Sequence, residues 1–324
     1  MTGRAAIAAT RRAEGVDLDR AAESIHGWRA RVTAVGRGPD RGTVSETVLG
    51  SSRVIRLVFD APVALDVRAV DKRPSELFHV GTISSGVRWE GLQVRPDALM
   101  LKQGEIGSSF ALPAGCELLV ARLDRLRIAA LARALGGGDS PSVRRGIQAV
   151  PHTDAVLAEM RTRLRFLAGN DLVLREQALA AEQELCERVA SLLAASPMQL
   201  DRPPATRRRA LRSALEYARA HDGERISLHD LCAASECSER TLRTAFREHY
   251  GTSPTAFLKQ LRLQGLRRNL QAAMPYANTV VSLAARWGFW HMGHLAHDYK
   301  RTFGEAPSDT LIHRHSDGAV HQNS

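Results

Sequence analysis

The chain of 324 residues is 44% hydrophobic and 25% charged, which is typical of a folded protein and leaves room for two domains. Its formal net charge of +10 and its pI near 10.2 favour a polyanionic partner. No apolar run reaches the roughly 18 residues of a membrane span, and residues 5–9 are too short for a secretory signal, so we expect a cytoplasmic protein without a membrane partner.

The N-terminal part of the chain predicts an antiparallel β domain. Residues 1–27 are rich in Ala and Arg with little periodicity, and we expect them to be partly disordered. In residues 28–150, short β-prone runs are separated by turn residues such as Gly38-Pro39, which predicts a barrel or a two-sheet sandwich. The predicted strands are residues 30–35, 44–49, 54–59, 64–70, 77–83, 87–94, 98–101 and 116–121.

Helical periodicity replaces the β pattern after Leu123. Within residues 151–195, apolar side chains such as Leu157, Leu164 and Val189 recur at helical spacing. These helices therefore either pack inside the chain or pair two subunits of a homodimer. The predicted helices of this part are residues 123–134, 153–167 and 171–195.

Paired prolines separate this part from a C-terminal domain. Pro203-Pro204 favours extended chain, so we place a linker at residues 196–206 and a further domain at residues 207–314. Residues 206–324 hold 17 Lys and Arg against 11 Asp and Glu, and thus +6 of the net charge of +10. This distribution favours a nucleic-acid contact in the C-terminal part. We expect residues 315–324 to form a disordered tail.

One pattern occurs twice in the C-terminal domain, with the apolar residues of the two copies 53 positions apart. In the first copy, Ser227 and Ser238 are suitable N-caps for helices at residues 228–235 and 239–250. A short helix, a tight turn and a second helix make a helix-turn-helix. Residues 254–273 predict one long helix between the copies, which would hold them about 34 Å apart, one turn of B-DNA.

The second helix of the first copy has a polar, arginine-rich face. Arginine forks match both the phosphate oxygens and the O6/N7 edge of guanine in the major groove. A solvated charged face is the alternative, but it requires no repeated turn geometry. We therefore expect double-stranded DNA as the partner. The residues of this face are Arg240, Arg243, Thr244 and Arg247.

Both copies resemble the DNA-binding domain of AraC/XylS-type bacterial transcription regulators. The resemblance rests on Leu231 and Gly251-Thr252-Ser253-Pro254 in the first copy, and on Gly288-Phe289 and residues 299–308 in the second. It implies a transcription regulator, usually an activator, that acts on RNA polymerase. It also implies a separate domain in front that binds an effector or forms a dimer.

The same resemblance implies which residues contact DNA. Gly293 and Ala296 offer no side-chain hydrogen bond, so we expect the second copy to contribute mainly phosphate contacts, from Lys300 and Arg301. The implied base-reading positions of the first copy are Arg240, Arg243 and Thr244, with Arg247 nearer the DNA backbone. Those of the second copy are Met292, Gly293, Ala296 and His297.

Part of the β domain resembles the cupin-like sensor domain found ahead of such DNA-binding domains. The resemblance rests on residues 89–94 and 112–115. Catalytic cupins bind a metal through several histidines and a carboxylate, whereas residues 28–150 contain only His79. We therefore expect no catalytic residue, metal or cofactor. The expected effector contacts are Phe78, Arg88, Trp89 and Arg95, since an arginine suits a carboxylate.

The sequence as a whole predicts an α+β protein. A cupin-like antiparallel β barrel or sandwich with flanking helices precedes an all-α domain of two helix-turn-helix units joined by a long helix. The expected function is sequence-specific regulation of transcription, with activation of a catabolic operon favoured, under the control of a small-molecule effector. The alternatives are a cupin-type enzyme tethered to DNA and a ligand-independent DNA-binding protein.

Overall fold

The computed structural model confirms the α+β class, with two antiparallel sheets followed by a helical domain. Residues 196–204 of the expected linker at 196–206 and residues 319–324 of the expected tail lie outside the described residues. Residues 205 and 206 of the expected linker are helical, so the linker prediction was too long at this end. The described residues are 8–25, 28–69, 77–103, 107–135, 146–170, 175–195, 205–221, 224–273 and 279–318.

Two sheets pack face to face in the β domain. In chain order the strands are β1 (Ala8–Val16), β2 (Trp28–Ala34), β3 (Gly42–Leu49), β4 (Ser52–Phe59), β5 (Val63–Ala69), β6 (Leu77–Ile83), β7 (Val87–Trp89), β8 (Leu92–Val94), β9 (Ala98–Gln103), β10 (Gly107–Leu112), β11 (Glu117–Asp124) and β12 (Gly146–Pro151). The larger sheet has the order β1-β3-β4-β11-β6-β9-β12, and the smaller one β2-β5-β10-β7-β8. Of the two predicted alternatives, this architecture is the sandwich.

The helices flank the larger sheet and form the C-terminal domain. They are α1 (Leu18–Glu23), α2 (Arg125–Ala134), α3 (Asp154–Gly169), α4 (Arg175–Ala195), α5 (Ala205–Ala220), α6 (Leu228–Ser235), α7 (Glu239–Tyr250), α8 (Pro254–Ala272), α9 (Val280–Arg286), α10 (Met292–Phe303) and α11 (Pro307–Gly318). Among the described helices, none combines the length and the apolar composition needed to cross a membrane.

The central strand β11 contributes side chains to two hydrophobic cores. Leu118 points into the space between the sheets, where it packs in one cluster with Leu65 and Trp89 of the smaller sheet. Leu119 points the other way and packs in a second cluster with Leu164 of α3. Because successive side chains of a strand point to opposite faces, one continuous apolar strand fills both cores.

The apolar stripes of α3 and α4 pack inside the chain. Leu157 and Leu164 of α3 and Val189 of α4 are fully buried in the cluster against the larger sheet. Of the two uses that the sequence leaves open for these stripes, this is the intrachain one. A homodimer stays a prediction, and it would need a surface other than these side chains.

The N-terminal segment differs from its prediction. The described part of residues 1–27 is not disordered, because β1 pairs with β3 and Leu18 of α1 is buried between the sheets. Weak local periodicity did not reveal this order, since β1 gains its structure by pairing with a strand some 35 residues later.

Three further elements of the β half depart from the expected strands. β10 and β12 are additional strands, which pair with β5 and β9 respectively. The expected single strand at residues 87–94 is instead a hairpin of β7 and β8. At its turn, Glu90 has φ 51° and Gly91 has φ 83°, the left-handed pair that a two-residue hairpin turn requires.

The helix-turn-helix units follow their predicted boundaries closely. α6 and α7 begin and end where the sequence predicts, because Ser227 and Ser238 cap them and Gly251 ends α7 with φ 69°. α11 continues to Gly318, past the expected domain end at residue 314. No Gly or Pro interrupts residues 308–317, so nothing local ends the helix earlier.

The helix α8 is continuous through Gly265. A Cβ atom at Gly265 would lie 2.1 Å from the Cη2 atom of Trp287, which follows α9 and is buried. Close approach of the indole ring to the α8 backbone therefore requires glycine at this position. The glycine reflects packing between helices and does not mark a break in the connector.

The helical C-terminal half packs directly on the smaller sheet of the β domain. Tyr250 Oη at the end of α7 donates to Asp66 Oδ1 at 2.5 Å, and Gln264 Nε2 of α8 donates to the carbonyl of Val32 at 3.1 Å; both bonds are buried. Ala64 and Ala111 of the sheet share one apolar cluster with the first helix-turn-helix unit. The two halves therefore form a shared interface in this structure.

We predict that Gly265→Ala destabilises the protein, although alanine at an open helix position gains about 1 kcal/mol over glycine. The new methyl group would collide with Trp287, and the two helices would have to separate. Gly293→Ala on α10 is the matched control, because no atom lies within 4 Å of the added Cβ. Thermal unfolding should show a lower Tm for Gly265→Ala only. An unchanged Tm for Gly265→Ala would contradict the packing argument.

We also predict that His249 makes stability fall in mild acid. Burial lowers the pKa of His249 to about 4 from its ordinary value of 6.5, so the folded state resists protonation that the unfolded state accepts. The contribution of His249 to the free energy of unfolding is therefore fully present above pH 6.5, and it is lost as the pH falls from 6.5 to 4. By pH 5 the loss amounts to about 2 kcal/mol.

Urea unfolding at pH 7 and pH 5 measures this loss, with His249→Gln as the variant that does not titrate. The loss should be smaller in His249→Gln than in the unmodified chain. His79, whose pKa is also lowered by burial, is present in both proteins and cancels in the comparison. An equal loss in both would show that His249 does not contribute.

Candidate nucleic-acid interface

The helix α7 separates an apolar buried face from an exposed basic face. Leu242 and Phe246 are fully buried, whereas Arg240, Arg243 and Arg247 are exposed. The β domain packs on the opposite side of the helix, through Tyr250 and its neighbours, and does not cover the arginines. The helix therefore presents three guanidinium groups within two turns to an approaching partner.

Local bonds shape the polar face of α7. Arg243 Nε donates to Glu239 Oε1 at 2.7 Å, one turn earlier, and both side chains are about half exposed. An exposed pair of this kind contributes about 0.5 kcal/mol, so a DNA base or phosphate can displace it. The Thr244 hydroxyl donates to the carbonyl of Arg240 at 2.9 Å. Arg240 and Arg247 have no such tether among the bonds described.

The corresponding face of α10 carries small residues at two positions where α7 carries arginines. Leu295 and Tyr299 are buried as in α7, but the outward positions hold Gly293 and Ala296. The phosphate-binding candidates Lys300 and Arg301 are exposed, and Arg301 Nη2 also pairs with Asp298 at 3.0 Å. Met292 is half-buried and His297 exposed, as base-reading positions would be.

The connector α8 fixes the separation of the two units. Phe257 and Leu258 pack with the first unit, and Leu263 and Leu266 pack with the second. At 1.5 Å per residue, the 19 residues of α8 span about 28 Å, close to the length of one DNA turn. Because α8 is part of both cores, the spacing of α7 and α10 is set by packing.

The four expected effector residues do not lie together. Phe78 is buried on the other face of the larger sheet, in the cluster that faces the helices. Arg95 is 71% exposed and pairs with Asp97, and Arg88 is exposed beside Gly251 at the end of α7. Of these candidates, Trp89 alone borders the space between the two sheets.

That space contains polar residues which the sequence analysis did not identify. It is a cavity of about 60 Å³ whose aromatic lining includes Trp28, Trp89 and Phe110. His79 and Lys102 are paired across β6 and β9 and both border the cavity. A lysine directly after the apolar run of residues 98–101 was the available signal, but only the structure shows that it borders the cavity.

The charge state of the two residues follows from their surroundings. Lys102 Nζ donates to Ser108 Oγ at 2.7 Å and lies 3.7 Å from Glu90 Oε1. Burial, together with the charge of Lys102, lowers the pKa of His79 to about 3, so its ring is neutral. The cavity thus offers one buried ammonium group and one neutral imidazole within an aromatic lining.

Glu90 connects this cavity to the recognition helix. Its carboxylate accepts from Ser109 N at 2.9 Å, on the strand next to its hairpin. The following residue, Gly91, lies so close to His249 of α7 that an added Cβ would be 2.9 Å from the imidazole Cε1. The turn between β7 and β8 therefore contains Glu90, which pairs with Lys102, and Gly91, which contacts His249 on the back of α7.

The structure shows no group of three or more His, Cys, Asp or Glu residues with the arrangement of a metal site in the parts of the chain it describes. His291 and His294 of the second unit are three positions apart in the sequence, a spacing that could suggest metal ligands. His291 and His294 are exposed with their rings 6.1 Å apart and nearly perpendicular.

The family-model match of this chain lies in its C-terminal part. Residues 231–312 match a family model described as a helix-turn-helix domain. The probable thc operon regulatory protein of Rhodococcus erythropolis is 37% identical over 101 residues, which are 31% of this chain and 30% of that protein. XylDLEGF operon transcriptional activator 1 of Pseudomonas putida is 38% identical over 89 residues, 28% of this chain and 27% of that protein.

A solved structure gives a similar match. The crystal structure of a probable AraC family transcriptional regulator from Rhodopseudomonas palustris CGA009 is 38% identical, with 32% of this chain and 95% of that chain covered and a TM-score of 0.30. The chain spans about 30% of the length of the curated relatives it matches. Residues 231–312 of this chain thus belong to a helix-turn-helix domain family, and the chain is similar to the two operon regulators named above.

Proposed function

We propose that this chain is a sequence-specific DNA-binding transcription regulator, which acts in the bacterial cytoplasm as an activator of a catabolic operon. One observation carries the proposal: α7 has three exposed arginines, and α8, a helix about 28 Å long, packs in the cores of both units and joins them. Two recognition helices held about one turn of DNA apart enter successive major grooves on one face of the duplex. The similarity to an operon regulatory protein and to an operon transcriptional activator supports activation, and we propose that the chain activates through RNA polymerase.

We further propose that a small aromatic carboxylate, bound between the two sheets, controls this activity. Lys102 supplies a buried positive charge, and the neutral ring of His79 supplies a hydrogen bond. Trp28, Trp89 and Phe110 supply the apolar walls. A carboxylate bound there would replace Glu90 as the partner of Lys102, since both groups are anions.

The size of the cavity suggests how binding reaches the DNA-binding half. A volume of about 60 Å³ is the room of roughly two water molecules, so an aromatic ligand has to displace neighbouring groups. Release of Glu90 frees the turn between β7 and β8, which abuts His249 on the back of α7. The ligand would thereby change the position of α7 relative to the β domain, and with it the affinity for DNA.

Selection of duplexes from a random-sequence library with the purified chain tests DNA recognition. We expect a shared motif with two parts about one helical turn apart, because α8 fixes the two helices. Footprinting upstream of the neighbouring operon should then locate that motif. Recovery of duplexes without any common sequence would contradict specific binding.

Arginine variants distinguish base contacts from backbone contacts on the selected duplex. Arg243→Ala should cost about 1–3 kcal/mol at one guanine-bearing base pair and relax specificity there. Arg247→Ala should weaken binding to all sequences alike and lower the salt dependence, as the loss of a phosphate contact does. Arg95→Ala removes the same charge from an exposed site of the β domain and serves as the control. An equal loss of DNA affinity in all three variants would show that only the total charge matters, and it would contradict specific contacts of Arg243 and Arg247.

A panel of aromatic carboxylates, screened by thermal shift on the full chain, tests the effector site. A carboxylate that binds should raise the Tm, because it stabilises only the folded state. Lys102→Met should abolish this increase, whereas Arg95→Ala, which lies outside the cavity, should retain it. A carboxylate that stabilises Lys102→Met as well as the unmodified chain would place the site elsewhere.

A further inference from the structure

The two recognition helices differ in chemical character at two of the outward positions that face DNA in the proposed function. The offset of 53 residues relates Arg240 of α7 to Gly293 of α10, and Arg243 to Ala296. Gly293 and Ala296 are exposed, and no atom lies within 4 Å of a Cβ added at Gly293. At these two positions the guanidinium readers of the first unit are replaced by small, apolar residues, whereas Thr244 corresponds to the exposed His297.

The residue just before α10 adds a large apolar group to this surface. Trp290 is 67% exposed, whereas its counterpart Cys237 before α7 is half-buried and packs on the first unit. The neighbouring Phe289 packs on the second unit and lies under the guanidinium of Arg262 at 5.3 Å, so the fold already has its aromatic contact there. Packing within the chain does not account for the position of Trp290.

The position of Trp290 relates it to the DNA rather than to another face. Recognition helices contact base edges with their N-terminal residues, and Trp290 directly precedes the N-cap residue of α10, His291. Met292, in the first turn of α10, is half-buried and presents its remaining surface on the same end. Trp290, Met292, Gly293 and Ala296 lie at or near the N-terminal end of α10, and we call this set the apolar reading surface.

Only one base offers an apolar group in the major groove. Thymine presents its C5-methyl group there, and alanine and other apolar side chains recognise it by contact. The absence of a side chain at Gly293 allows the helix backbone to approach the bases closely. Lys300 corresponds to Arg247 and keeps a positive charge for the phosphates beside this surface.

The charges around α10 are compatible with such an approach. Asp298 is the acidic residue of the helix, and it pairs with Lys259 Nζ at 2.5 Å and with Arg301 at 3.0 Å. Its negative charge is therefore balanced by two cations before DNA arrives. Close contact of α10 with the phosphate backbone does not have to overcome an uncompensated carboxylate.

We propose that the apolar reading surface recognises thymine methyl groups, so that the operator has a guanine-specified half under α7 and a thymine-specified half under α10. This inference rests on the proposed function, because it requires specific binding to DNA. It replaces the expectation that the second unit makes mainly phosphate contacts. Each contacted methyl group should contribute about fourfold in affinity, the equivalent of about 0.8 kcal/mol per buried carbon.

Uracil substitution tests the proposal on the duplex selected by the full chain. Replacement of dT by dU removes the methyl group and retains the base pairing. The half whose specificity relaxes in Arg243→Ala is assigned to α7. Substitution in the other half should lower affinity about fourfold for each contacted thymine, and substitution in the α7 half should change it less than twofold.

Protein variants then assign the effect to the surface. Trp290→Ala should weaken binding and reduce the difference between dT and dU duplexes. Val281→Ala is the matched control, since Val281 is 58% exposed on α9 of the same unit and belongs to no reading surface. Thermal unfolding of each variant confirms that it is folded.

Several outcomes would overturn the proposal. One is a second half specified by G·C pairs, and another is equal affinity for dT and dU duplexes. A third is a Trp290→Ala protein with unchanged dU sensitivity that fails to activate transcription, which would assign Trp290 to a polymerase contact. Selection of no common sequence would instead refute the proposed function itself.

Discussion

The packing of α8 is the constraint on which the rest of the structure depends. The helix contributes Phe257 to the core of the first unit and Leu266 to the core of the second, while Gln264 reaches the β domain at Val32. A helix held on three sides cannot rotate or bend without opening a close-packed interface. The contact of Trp287 with Gly265 adds to this restraint at the middle of the helix. The distance between α7 and α10 therefore follows from side-chain packing within one chain.

In the same packing, the β domain contacts the back of α7 and leaves the arginine face of α7 exposed. The β domain holds the back of α7 through Tyr250 and Asp66, yet Arg240, Arg243 and Arg247 stay exposed. On the proposed function, the β domain need not cover these arginines in order to silence DNA binding. A small movement of α7 against the fixed α8 is sufficient, because both recognition helices have to fit the duplex at once. The turn that carries Glu90 and Gly91 is the part of the β domain placed to cause that movement.

Local and distant determinants explain what the sequence could predict. Ser227, Ser238 and Gly251 act on residues within one helical turn, so the boundaries of α6 and α7 follow from the sequence. β10 and β12 exist by pairing with distant strands, and no local pattern reveals them. The candidate functional residues also divide into those set by local sequence and those set by pairing of distant strands. The arginine face of α7 results from helical periodicity, whereas His79 and Lys102 meet only through the register of β6 and β9.

The difference between the two recognition surfaces bears on how control would work. Hydrogen bonds from arginine to guanine depend on distance and angle, whereas apolar contacts are non-directional. On the proposed assignment, a displacement of α7 costs the first unit its directional contacts, while the second unit tolerates a shift of similar size. The β domain contacts α7 through His249 and Gly91, at the unit whose contacts are the more sensitive to displacement. An effector that moves only this helix would therefore change specific affinity while the second unit keeps the protein near its site.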